Sequence, residues 1–292
     1  LLATGGRPRQ LPFGQGQIIY YRTLEDYRRL HEQADKGGRF LVIGGGFIGS
    51  EIAAALAINQ KKVTILFPGK GIGDRVFPPE LSQFLNGFYR EKGVEVLPGE
   101  SATALQSRNG ELFLATGGGR ELAADCVVAG IGIEPNVELA RTAGLKTDNG
   151  VVVDEYLRTS EPSIYAAGDV ASFYNPALGQ NIRVEHEDNA NTMGKMAGRN
   201  MAGHLEPYRH LPFFYSDLFE LGYEAVGELD SRLETVMDWK TPFREGVVYY
   251  LRQGRVRGVL LWNVWGQVDA ARALISEPGP FKPDQLKGRL PG

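Results

Sequence analysis

The spacing of apolar positions changes period several times along the chain, and each change marks a unit. Phe40–Ile43 is a short unbroken apolar run, the pattern of a strand covered on both faces. It leads into a glycine turn, Gly44-x-Gly46-x-x-Gly49. An alanine-rich helix is predicted from Ile48 to about Asn59, and a second buried strand over Val63–Phe67. Strand, glycine turn, helix and strand in this order form a dinucleotide-binding unit. Gly44 permits the tight turn, Gly46 lets backbone approach a pyrophosphate, and Gly49 lets the helix pack against the strand. The helix N-terminus adds unpaired N–H groups and a partial positive charge.

The same reading extends in both directions. Thr23 is a helix N-cap, followed by Glu25 and Asp26 in the first turn, with Leu24, Tyr27 and Leu30 at helical spacing. A helix over Pro79–Glu91 and a strand over Val94–Leu97 follow the central unit. The period then falls to two over 102–107, 111–116 and 120–123, which predicts an antiparallel meander turning at Asn109-Gly110 and Gly117-Gly118-Gly119. Cys126–Ala129 reads as a buried strand running into a second glycine turn. Val151–Val153 is strand-like, and Ile164–Ala167 is an apolar strand ending in Gly168-Asp169. A helix is expected from His186 to Met201, with Ala190, Gly194 and Ala197 on one face. From Pro212 onward the pattern alternates or turns aromatic, with a hairpin at Gln253-Gly254 and a last amphipathic helix over Val268–Ile275. Leu1–Ala3 reads as the end of a core strand, so sequence upstream of Leu1 is expected.

Composition narrows the function. A chain of 292 residues, 42% hydrophobic and 23% charged, suits two or three globular units. A net charge of −3 without a basic block argues against nucleic acid or an anionic membrane as partner. No run is long and apolar enough for a membrane span, and a cytoplasmic location is the expectation, with a removed leader left open. The single cysteine, Cys126, sits in an apolar run and reads as a small buried hydrophobe. His31, His186, His204 and His210 lack metal-ligand spacing, so no metal is expected. Trp239, Trp262 and Trp265 read as core.

Four boxes in order resemble the pyridine nucleotide-disulfide oxidoreductase superfamily of two-dinucleotide flavoproteins. They are Ala3-Thr4-Gly5, Gly44-Gly-Gly46-Phe-Ile-Gly49-Ser-Glu51, Gly130-Ile-Gly132-Ile-Glu-Pro135-Asn136 and Ile164-Tyr-Ala-Ala-Gly168-Asp169. Leu66-Phe-Pro-Gly-Lys-Gly71, Arg183-Val-Glu-His186-Glu-Asp188, Tyr215-Ser-Asp-Leu218 and Leu261-Trp-Asn-Val264 are similar to the branch of apoptosis-inducing factor and its bacterial relatives. The resemblance implies an α/β fold with two Rossmann-like FAD/NAD-binding domains, the FAD domain incomplete, plus a C-terminal α+β domain. The expected division is a remnant of the FAD domain and a linker at 1–22 and an NAD(P)-binding domain at 23–132. The second part of the FAD domain then falls at 133–212 and the C-terminal domain at 213–292. The family's N-terminal FAD glycine motif has no counterpart in this chain.

The resemblance also implies the chemistry, in which hydride passes from NADH to FAD and electrons leave to an acceptor such as a ferredoxin-like protein, a quinone or oxygen. Gly44, Gly46, Phe47 and Gly49 would hold the nucleotide pyrophosphate, Glu51 would face the nicotinamide ribose and amide, and Gly132 would line the nicotinamide side. Thr4, Gly5, Arg22, Gly168, Asp169, Glu185, His186 and Tyr215 would surround the FAD. Glu51 and His186 are the candidate catalytic residues. The chain departs from the family in three places. Gly69 stands where the branch has an acid, Glu187 where it has a second histidine, and Tyr215 where it has a tryptophan. Without that acid, Lys70 and Arg75 become candidate ligands for a 2′-phosphate. The family favours NADH, with NADPH the alternative. A homodimer is compatible with this reading. Two other functions stay open: an NADH-responsive sensor or scaffold with incidental turnover, and a disulfide reductase. The tail lacks the His-x-x-x-x-Glu pattern of disulfide reductases.

Overall fold

A computed structural model describes residues 1–290. In chain order the first elements are β1 (Gly6–Pro8), β2 (Ile18–Tyr20), α1 (Leu24–Lys36), β3 (Arg39–Ile43), α2 (Phe47–Ile58), β4 (Lys62–Phe67), α3 (Pro79–Glu91) and β5 (Glu95–Pro98). The meander follows as β6 (Ala102–Arg108), β7 (Glu111–Thr116) and β8 (Glu121–Ala124), and the chain then returns to the first sheet as β9 (Cys126–Ala129). That sheet is parallel and ordered β2-β9-β3-β4-β5. Its central strands read as unbroken apolar runs because both faces are covered: Val42, Ile65 and Val128 are fully buried. Helix α2 lies on it through Ile52, Ala53 and Leu56. Because Ile18–Tyr20 is a strand of this sheet, the unit begins before residue 23, which moves the expected boundary toward the N-terminus.

Thr23 caps α1 as expected. Its hydroxyl accepts the Asp26 N–H, and the Asp26 carboxylate accepts the Thr23 N–H. Only Leu30 of the predicted apolar face is buried, while Leu24 and Tyr27 are exposed. The helix rests on the edge strand β2, which offers it little surface to cover.

Beyond β9, β10 (Ile133–Pro135) pairs antiparallel with β1 in a two-stranded ribbon between units. Helix α4 (Glu138–Thr142) leads into a four-stranded sheet of β11 (Thr147–Asp148), β12 (Gly150–Val152), β13 (Ala171–Asn175) and β14 (Gln180–Ile182), and α5 (Glu187–Met201) closes this unit. The expected strand at Ile164–Ala167 is reduced to isolated bridges, Tyr165 with Arg158 and Ala166 with Leu2. Leu2 donates its N–H to the Tyr165 carbonyl and accepts from the Ala167 N–H, so the N-terminal run pairs with this segment on one side.

The C-terminal unit is an antiparallel sheet of β15 (Phe213–Leu218), β16 (Leu221–Gly227), β17 (Glu234–Thr241), β18 (Glu245–Arg252) and β19 (Arg255–Trp262), ordered β15-β16-β19-β18-β17, with α6 (Val268–Ser276) and α7 (Pro283–Leu286). Gln253 and Gly254 both take positive φ, 55° and 72°, which the two-residue hairpin requires. Trp262 is buried and Trp239 partly so. Trp265 is 54% exposed, with its ring over Gly222, which corrects its expected place in the core.

One hydrophobic cluster runs from the parallel sheet into the C-terminal sheet without interruption. Phe77, in the loop after β4, meets Tyr223 and Trp262 edge-on at 5.4 and 5.6 Å between centroids. On the other side, Asp188 of α5 accepts from the Phe213 N–H and lies 2.6 Å from His210 Nε2, and Arg272 of α6 reaches it at 3.3 Å. Among the described residues no helix is long and apolar enough to cross a membrane, and no group of His, Cys, Asp or Glu could hold a metal ion.

Candidate dinucleotide sites

The glycine turn between β3 and α2 is packed backbone to backbone. Gly44 sits at φ +114°, and a Cβ on it would press on the Gly130 carbonyl, whose carbon is 3.0 Å away. A Cβ on Gly49 would lie 2.8 Å from the Gly44 carbonyl carbon and nearer still to its oxygen. Gly46 differs: nothing lies within 4 Å of a Cβ there. Gly46 is also the N-cap of α2 and has no side chain to satisfy the first N–H groups of the helix. The turn therefore presents open space and unpaired donors together, which fits a pyrophosphate. Phe47 opens α2, and its ring turns away from the turn to meet Phe214 edge-on at 5.4 Å. Gly132 takes φ +91°, which only glycine adopts freely.

Glu51 points from α2 toward the C-terminal sheet, where its Oε1 accepts from Ser216 Oγ at 2.5 Å. Burial pushes this carboxyl above its ordinary range, the Ser216 hydrogen bond pulls it back, and the nearby Asp217 charge adds to the rise. The sign of the pH effect follows. A carboxyl raised in the folded state contributes its full stability below the ordinary value of 4.5 and loses it as pH rises through the folded value. Ser216→Ala raises the folded value further and deepens that loss. The stability gap between wild type and variant is expected to widen with pH above 4.5, by about 1 kcal/mol. Urea unfolding at several pH values measures it, and a gap independent of pH would contradict the assignment.

The second set of candidates gathers where the N-terminal run meets α5. Arg22 Nη2 donates to Asp169 Oδ2 at 2.9 Å, and the same nitrogen is 3.7 Å from where a Cβ on Gly5 would stand. Arg183 donates to the Asp169 carbonyl at 3.1 Å and pairs with Glu185 at 2.6 Å. Thr4 and Asn136 exchange side-chain and main-chain hydrogen bonds of 2.7 and 2.8 Å, which hold the strand end in place. Gly168 has φ +77°, and a Cβ on it would touch Ala190 of the small-residue face of α5.

His186 is the N-cap residue of α5. Its ring meets Tyr215 edge-on at 5.1 Å. Its Nδ1 is buried without a hydrogen-bond partner, an orphan that a bound group would satisfy. Burial lowers its basicity, with the charges of Asp188, Glu187 and Asp169 opposing. The two glycine-lined openings, the orphaned Nδ1 and the polar cluster around Asp169 fit two dinucleotides, one on each unit. Phe47, Tyr215 and Ser216 bring the openings together at β15.

Lys70 and Arg75 are solvent-exposed. Arg22 was placed by the sequence beside FAD, and its fork is engaged with Asp169. Three residues of these sites went unnoticed in the sequence: Asn136, which braces Thr4, Arg183, which braces Asp169, and Ser216, which fixes Glu51. All three lie inside boxes that were read as motifs, but what each side chain touches depends on contacts across 132, 14 and 165 positions.

Two nucleotide cradles on linked α/β units, capped by an antiparallel sheet, define a two-dinucleotide flavoprotein. The chain belongs to the pyridine nucleotide-disulphide oxidoreductase family, whose model matches residues 1–194. Members of the family use FAD and NAD(H). The C-terminal model of mitochondrion-associated apoptosis-inducing factor matches 197–242 and 237–277. The chain is 38% identical to apoptosis-inducing factor 1 of Dictyostelium discoideum, over 94% of this chain and 56% of that protein. It is 33% identical to putidaredoxin reductase of Pseudomonas putida, over 98% of this chain and 70% of that protein. The covalent putidaredoxin reductase–putidaredoxin complex contains a chain of similar fold, at a TM-score of 0.90 and 33% identity, covering 98% of this chain and 70% of that one. The chain thus spans between about half and about seven tenths of these relatives' length.

Proposed function

We propose that the protein is an FAD-dependent NADH oxidoreductase that passes electrons to a ferredoxin-like protein. One observation carries this reading. Tyr215 and Ser216 are neighbours on β15 and face opposite ways, Ser216 to Glu51 of the nucleotide turn and Tyr215 to His186 of the flavin side. Donor and acceptor sites are thereby held one strand apart, the proximity that direct transfer between two bound cofactors needs. FAD, when bound, supplies the ability to take electrons in pairs and release them singly.

The chain supplies position and electrostatics. The N-terminus of α2 attracts the nucleotide phosphates, and Glu51 orients the amide and ribose end. Asp169 receives hydroxyls of FAD, and the start of α5 with His186 favours negative charge on the adjacent ring. Relatives named as ferredoxin–NAD(+) reductase components support a ferredoxin-like acceptor, among them one from Burkholderia cepacia at 33% identity. The match of the tail to the apoptosis-inducing-factor C-terminal model supports a second reading, a sensor whose assembly responds to NADH.

Anaerobic titration of the full-length protein with NADH is expected to bleach a flavin spectrum, and a plant- or adrenodoxin-type ferredoxin then restores it. Absence of flavin, or of NADH-driven bleaching, would sink the enzyme reading. Bleaching that no ferredoxin reverses, with a change of mass in ultracentrifugation, would favour the sensor.

A further inference from the structure

A carboxylate at the end of the second strand of a dinucleotide unit accepts the ribose 2′-hydroxyl and repels a 2′-phosphate. After β4 the sequence reads Pro68-Gly69-Lys70, which has no acid. We propose that Asp74, further along the same loop, supplies this carboxylate and makes the site selective for the nucleotide without a 2′-phosphate. The inference rests on reading the Gly44–Gly49 turn as the nucleotide site.

The geometry is specific. A Cβ on Gly69 would stand 2.6 Å from Asp74 Cγ and 2.8 Å from its Oδ1, closer than side chains approach. The Asp74 carboxylate therefore fills the volume in which a side chain at 69 would begin. Glycine at 69 and aspartate at 74 form a matched pair, because an acid at 69 would collide with the one at 74. The loop that carries Asp74 is fixed on both sides. Gly73 donates its N–H to the Gly45 carbonyl at 2.8 Å, tying the loop to the glycine turn itself. On the other side Asn86 of α3 accepts the Ile72 N–H at 3.1 Å and donates to the Lys70 carbonyl at 3.0 Å.

Of the two carboxylate oxygens, Oδ2 accepts the Lys70 N–H at 2.9 Å. Oδ1 accepts no hydrogen bond among the described residues, and Asp74 is only partly buried. One oxygen holds the loop and the other is left for a hydroxyl. Lys70 and Arg75, the sequence candidates for a phosphate, are exposed on the same loop, where solvent screens them. A fixed, partly buried carboxylate beside the strand end outweighs them.

The test is calorimetric titration of the flavin-loaded full-length protein with ADP-ribose and with 2′-phospho-ADP-ribose, so that binding is read without turnover. Three proteins are compared: wild type, Asp74→Asn, and the double variant Gly69→Glu with Asp74→Gly. Wild type is expected to prefer ADP-ribose by about tenfold or more, the scale of one charge-assisted hydrogen bond. Asp74→Asn keeps an oxygen for the Lys70 N–H but loses the charge, so the preference falls by about tenfold. The double variant, with the acid moved to the strand end, regains it. An unchanged ratio in Asp74→Asn, with both ligands still binding, overturns the proposal and leaves the nucleotide site standing. Wild type that binds neither ligand overturns the nucleotide-site reading and the proposal together.

Discussion

Gly46→Val is expected to leave the protein folded and to weaken NADH binding by about a hundredfold, whereas Gly49→Val destabilises the fold itself. The two glycines are three residues apart in one turn, and their surroundings separate them. At Gly46 the backbone has φ −84°, which any residue adopts, and a Cβ meets nothing within 4 Å. A valine there strains nothing in the free protein, so unfolding in urea should shift by no more than about 0.5 kcal/mol. The open space is nonetheless the approach to the first N–H groups of α2. A branched side chain keeps a pyrophosphate from reaching them, and several charge-assisted hydrogen bonds are lost at once. At Gly49 the side chain would enter the Gly44 carbonyl group, which is itself backed by Gly130. Helix α2 must then lift from the sheet, at a cost of about 3 kcal/mol. Denaturation curves and NADH titrations of both variants check the pair. Normal NADH affinity in Gly46→Val would remove this turn from the nucleotide site.

The second large effect is expected at Asp169. Asp169→Ala should weaken FAD binding by roughly tenfold to a hundredfold, the range for losing a hydrogen bond to a charged acceptor. The Asp169 side chain is 15% exposed and Arg22 is 39% exposed, so water takes over much of the abandoned guanidinium. The stability loss from the broken ion pair is therefore held to about 1 kcal/mol or less. Asp169→Asn keeps the shape and one acceptor oxygen and should fall between wild type and Asp169→Ala. Flavin content after dialysis and fluorescence titration of apoprotein with FAD measure the effect. Full flavin retention in Asp169→Ala would show that this carboxylate faces Arg22 alone.

The central unit was legible because its signals are local. Buried parallel strands read as continuous apolar runs, the glycine turn has a fixed spacing, and Pro79–Glu91 was bounded correctly by its own apolar period and the Lys92-Gly93 stop. The segment from Ser163 to Asn175 was harder to read. Its apolar run predicts a strand ending in Gly168-Asp169, but only single bridges form there, and the regular strand is the one after it, Ala171–Asn175. Which segment becomes a ladder depends on what lies beside it, and that information is distant in sequence. Asp74 illustrates the same limit in the site. Absence of an acid at Gly69 is visible in the sequence, but its replacement by a carboxylate folding back from the loop is visible only in three dimensions.

The C-terminal sheet is held on two sides by apolar packing. Toward the nucleotide unit it shares an aromatic core through Phe77, Tyr223 and Trp262, and toward the flavin unit Ala177, Leu178 and Ile182 join its core beside the Asp188–His210–Arg272 cluster. Apolar packing resists sliding, because any shift opens voids. Glu51 and Ser216 therefore sit on parts that share one core. The β1–β10 ribbon that crosses between the units is bracketed by Gly5 and Gly132 at positive φ and tied by the Thr4–Asn136 hydrogen bonds. Pulling Glu51 away from Ser216 would open that shared core, so the packing beneath the pair holds the two openings in register.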